Sequence, residues 1–84
     1  MDTTGRIHIR SALDRFRRFL KSIEGEQIEG ELVACAINVR PCSDDIADEI
    51  ENLADDLEEA RTLFNEHLKA RALAGLKRIE KDCL

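Results

Sequence analysis

The strongest constraint on this chain lies in its second half. From Ser43 onward, apolar residues return in steps of four and three at Ile46, Ile50, Leu53, Leu57, Ala60 and Phe64. The pattern then drifts through Leu68, Ala72, Leu76 and Ile79. Such a repeat lays one apolar stripe along an α-helix, and the drift is what 3.6 residues per turn does to a heptad. Pro41 stops whatever precedes it, Ser43 is a good N-cap, and Asp44 and Asp45 fall in the first turn, where the helix dipole favours anions. No proline follows, and Gly75 is the one weak point. The reading is one helix over about residues 44–81, roughly 57 Å long at 1.5 Å per residue.

The first half predicts two shorter elements. Ile9, Leu13, Phe16, Leu20 and Ile23 form an amphipathic stripe, giving a helix over about residues 6–24 with a threonine available as its cap. Ile7-His8-Ile9 alternates like a strand, but three residues do not outweigh a five-position helical stripe. Gly25 and Gly30 bracket Glu26-Gln27-Ile28-Glu29, which reads as a loop. Residues 31–40 are apolar on nearly every side, through Leu32, Val33, Cys35, Ala36, Ile37 and Val39, and so are expected to be buried. Helix is the reading there because an isolated strand would have no partner.

The fold class that follows is all-α: a small bundle of three helices with a long C-terminal helix, treated as a single domain over residues 1–84. An 84-residue chain buries only about 60% of the surface its unfolded form exposes. The first helix is also too short to cover the long one. The bundle is therefore expected to be completed by homodimerisation along a stripe of Ile46, Ile50, Leu53, Leu57 and Phe64.

Charge is segregated in blocks. Residues 1–24 carry six Lys/Arg against three Asp/Glu, residues 25–60 one against twelve, and residues 61–84 six against three, for a net charge of -5. Blocks of opposite sign suggest pairing within the molecule or across a dimer. Asp44, Asp48, Glu51, Asp55, Glu58 and Glu59 are the candidate partner-binding residues, an acidic face suited to a basic surface on another protein, including one that normally holds phosphates. The bland alternative is a solvated helix face. Arg6, Arg10, Arg17, Arg18 and Lys21 form a basic face on the first helix that is the alternative, nucleic-acid-binding reading. It lacks interleaved aromatics and a helix-turn-helix spacing, and neutralising the acidic helix explains the same arginines more simply.

No catalytic set emerges. His8 and His67 lie far apart in sequence, Cys35 sits in the most apolar segment, and Cys42 beside Pro41 is the best placed thiol, but it has no base to name. No metal or cofactor is expected, because neither a calcium-loop pattern nor the Glu-x-x-His spacing of di-iron bundles is present. The odd number of cysteines, the lack of a signal-peptide pattern and the short longest apolar run predict reduced thiols, a cytoplasmic setting and no membrane segment. The functional expectation is a non-catalytic regulatory or inhibitory protein that binds another protein through helix surfaces.

Overall fold

Asp2 sets the start of the first helix: its side chain accepts a hydrogen bond from the Gly5 N–H at 2.7 Å, so α1 begins at Thr3 and runs Thr3–Phe19. It starts earlier than the apolar stripe alone suggested because the cap is the aspartate, not a threonine. It also stops earlier, where the Ser22 backbone and hydroxyl both turn back to the Phe19 carbonyl, at 2.9 and 3.1 Å. The computed structural model describes residues 2–63 and 67–84.

Only one of the two bracketing glycines makes a turn. Gly25 has φ +57°, a left-handed conformation that glycine adopts without a Cβ penalty. α2 then runs Glu26–Val39, so the segment read as a loop is the first turn of a helix. Two features favour this outcome: the Gln27 side chain accepts from the Glu24 N–H at 3.2 Å, and Glu26 and Glu29 lie where the helix dipole favours negative charge. Ile28 is buried as a result. After Pro41, Ser43 Oγ accepts from the Ile46 N–H at 3.3 Å and caps α3, Asp44–Thr62.

The C-terminal segment is not one helix. α3 ends at Thr62 and α4 runs Leu68–Cys83, so the described residues form four helices, not three. The Thr62 hydroxyl donates back to the Glu58 carbonyl at 3.0 Å, and the Leu63 N–H closes on the Glu59 carbonyl at 3.1 Å. Around this break the sequence offers Thr62 and Leu63, then His67, whereas the flanks are rich in Ala, Leu and Glu, better helix formers on balance. Burial outweighs these local preferences. Extended as a rod, Ala72, Leu76 and Ile79 would face water; folded back, they are no more than 2% exposed. Fully burying a Leu or Ile side chain is worth about 1.5–3 kcal/mol.

Neighbouring helices run antiparallel, as the pairs between them show: His8 Nε2 to the Asn38 carbonyl, Arg61 to Glu29, Arg71 to Asp56, and Lys69 at the start of α4 to Glu24 just past the end of α1. α1 and α3 each pack against both α2 and α4, closing a bundle of 40 × 22 × 20 Å. Ile46, Ile50, Leu53 and Leu57 lie inside this single-chain core together with Leu13, Leu32 and Leu76. They are therefore not available as a dimer stripe, because α4 supplies the cover that a second chain was expected to bring. Phe64, the last residue of that stripe, lies outside the described residues.

Gly75 does not weaken α4 but lets it approach α3. It is buried, and a Cβ added there would lie 2.5 Å from Leu53 Cδ1 and 3.2 Å from its Cγ. Gly75→Leu, with a good helix former that overfills the contact, is expected to lower stability by about 1–3 kcal/mol in urea denaturation. An increase in stability would mean that the two helices are not this close.

Candidate acidic face and its surroundings

α3 positions its carboxylates by simple periodicity. Asp44, Asp48, Glu51, Asp55, Glu58 and Glu59 follow one another at helical steps and share the outward side of the helix, opposite the buried Ile46, Ile50, Leu53 and Leu57. The six acids named from sequence are thus brought together on one face. Asp45, Glu49 and Asp56 turn toward α4, where Arg71 Nη2 meets Asp56 at 3.3 Å.

Arg40, at the end of α2, organises one half of this face. Its Nη1 donates to Asp44 at 3.2 Å, and its Nη2 donates to Asp48 at 3.1 Å and to Glu51 at 3.0 Å. Hydrogen bonding to Glu51, then to Asp48, raises the Arg40 pKa, so the guanidinium stays charged. One positive charge against three leaves an excess of negative charge there. In the other half, Asp55, Glu58 and Glu59 form no ion pair among the described residues. Arg61 is on the same helix but turns to α2, where its Nε and Nη2 donate to the two oxygens of Glu29 at 2.8 and 3.3 Å. Sequence reading missed Arg40. The signal was its position, as the only Lys or Arg in residues 25–60 and four residues before Asp44.

The basic residues of α1 do not neutralise this face, because α1 lies diagonally across the bundle from α3. Arg17 is held between Asp14 at 3.3 Å and Glu80 at 2.8 Å, which raise its pKa, Glu80 first. Arg6 lines a cleft with Asp45 and Cys83. Arg10, Arg18 and Lys21 form no ion pair among the described residues. The candidate nucleic-acid residues are thus divided between a paired side and a free side.

α2 departs most from expectation. Its buried side carries Ile28, Leu32, Cys35, Ala36 and Val39, but Val33 is 42% and Ile37 63% exposed. The helix is apolar on two sides, and only one faces the core.

The thiols lie apart. Cys42 and His8 line one open cleft of about 660 Å³ between the start of α1 and the Pro41 turn, and no hydrogen bond joins them among the described residues. Cys35 is buried, which pushes its thiol up to about 11, with Arg15 opposing. Among the described residues no cluster of three or more His, Cys, Asp or Glu side chains is placed to hold a metal ion, and no helix is long and apolar enough to cross a membrane. Compared with protein-family models, with curated proteins and with solved structures, the chain matches none.

The raised Cys35 pKa fixes a sign. In the unfolded chain this thiol ionises near 9, so its contribution to stability is complete below pH 9 and is lost as pH rises through about 11. A shift of this size corresponds to about 2–3 kcal/mol. The urea midpoint of the wild type should fall more steeply between pH 9 and 11 than that of Cys35→Ala. Equal slopes would show that Cys35 is not buried.

Proposed function

We propose that this protein is a non-catalytic binding module that presents the outer face of α3 to a basic surface on another protein and thereby blocks or modulates that partner. The observation that carries the reading is the lopsided charge balance of α3: six carboxylates on one face, three sharing Arg40, and Asp55, Glu58 and Glu59 with no ion pair among the described residues. Acids at helix contacts can have a counter-charge, as Asp56 has Arg71 and Glu29 has Arg61, whereas Asp55, Glu58 and Glu59 face solvent.

The density of charge suggests the kind of surface. From Asp44 to Glu59 the helix rises about 22 Å, which places a carboxylate roughly every 4.5 Å. A single DNA strand places a phosphate about every 3.4 Å along the axis. A groove of Lys and Arg shaped to hold a nucleic-acid strand is therefore a fitting partner. Binding to nucleic acid itself, through Arg10, Arg18 and Lys21, is the competing reading.

A pull-down from lysate at low and moderate salt separates the two. The expected result is a protein partner whose retention weakens as salt rises, because exposed charges are screened beyond about 10 Å at 0.1 M. Its retention should be lost in Asp55→Lys/Glu59→Lys while the helical circular dichroism is unchanged. Nucleic acid that survives moderate salt and is lost in Arg10→Glu/Arg18→Glu would overturn the proposal.

A further inference from the structure

The outward side of α2 repeats the geometry of a core stripe without a core to fill. Gly30, Ala34 and Ile37 recur at i, i+4 and i+7, the spacing of one helix face, and none carries a charge, while Val33, in line with Glu29 and Arg40, lies on the flank toward α3. Phe19, 48% exposed at the end of α1, extends the same side, and Ala12 and Ala34 line the shallow groove between the two helices. Exposed apolar residues scattered singly mean little, but a contiguous apolar face with charges at its borders marks a contact surface.

We propose that this α1–α2 face is a homodimer interface, in which two copies pack about a two-fold axis parallel to the helices. Charge selects a second copy as the occupant. Arg17, Arg6 and Glu29 are turned elsewhere, to Glu80, to the cleft with Asp45 and to Arg61, which leaves Arg15 on the α1 side of the groove and Glu31 on the α2 side. A two-fold axis along the helices lays α1 of one copy on α2 of the other, positive on negative, at both ends of the contact. An in-plane axis perpendicular to the helices stacks α1 on α1 and α2 on α2, like on like. Arg15 and Glu31 border the groove, and Arg15, Arg18, Glu26 and Glu31 form no ion pair among the described residues, so each chain offers the charges its copy lacks.

Size and shape fit the same occupant. One side of the bundle, 40 by about 20 Å, is long enough to seat the helix pair of a second copy along its length. At Gly30 an added Cβ would meet nothing within 4 Å, so another helix has room to approach. This interface leaves the acidic face of α3 exposed and does not depend on the function proposed for it.

Sedimentation of the full chain from low micromolar to about 200 μM tests the inference. A reversible dimer is expected, with a dissociation constant raised at least about tenfold by Ile37→Glu. Ile37 is exposed in the single chain, so its helical circular dichroism should be unchanged. Arg15→Glu should weaken the dimer, and adding Glu31→Arg to it should restore association. A chain that stays monomeric throughout overturns the inference, as does a dimer indifferent to Ile37→Glu. A monomer that binds a foreign protein through Ile37 also overturns it, and failure of the double variant to restore association overturns the two-fold arrangement.

Discussion

The fold depends on α4 lying directly against α3. Where a longer side chain would hold the helices apart, Gly75 admits Leu53, and this contact lets Ala72, Leu76 and Ile79 complete a core that α1, α2 and α3 leave open. Apolar burial drives the closure, as in any small domain, but here it also decides connectivity. A chain that could have continued as a rod reverses after Thr62 because the reversed form has somewhere to bury its apolar stripe. The same reversal brings the basic C-terminal block beside the acidic helix, so part of the charge segregation is resolved within one chain, through Arg71 and Asp56.

What remains unbalanced after closure defines the surface. On the side of α3 facing α4, Asp56 has its counter-charge in Arg71, while on the outer side the ion pairs among the described residues are those of Arg40. Around the bundle, α2 keeps an apolar face turned to water. Both surfaces sit on helices packed into the core, not on loops, so their side chains are held in fixed register. In the proposed reading the two act separately: self-association uses α1 and α2, and a dimer would then present two acidic faces to basic partners.

Helical character was legible because the stripes at Ile9–Leu20 and Ile46–Leu57 each match a single period, and the cap at Ser43 follows from residue type alone. The reversal was not legible. The apolar repeat passes through 60, 64, 68 and 72 without a proline or glycine, so the apolar pattern favours continuity; Thr62 and His67 are only mildly weaker helix formers, and the tertiary gain from folding back is the larger opposing effect. Gly75 misled for a related reason: within a sequence a glycine looks like a weak point, whereas in the bundle it is a point of close approach. Residues 31–40 were read as wholly buried because apolar residues occupy every side. That inference assumes one chain has enough surface to cover them, and four helices cover only one side of α2. The acidic face transferred from sequence to structure residue by residue, since it needs only helical periodicity. Its arginine organiser did not, because Arg40 lies on the preceding helix and reaches Glu51 across the Pro41 turn.

The reversal is tested most directly by the distance between the start of α3 and the end of α4. Asp45 and Cys83 line one cleft in the closed bundle. A label on the native Cys83 and a second on Asp45→Cys, with Cys35→Ala and Cys42→Ser to remove the other thiols, report that distance by dipolar spectroscopy. The closed bundle predicts a separation within its cross-section of about 20 Å. A separation near the ~57 Å of an uninterrupted helix would contradict the reversal, and with it the arrangement of both surfaces.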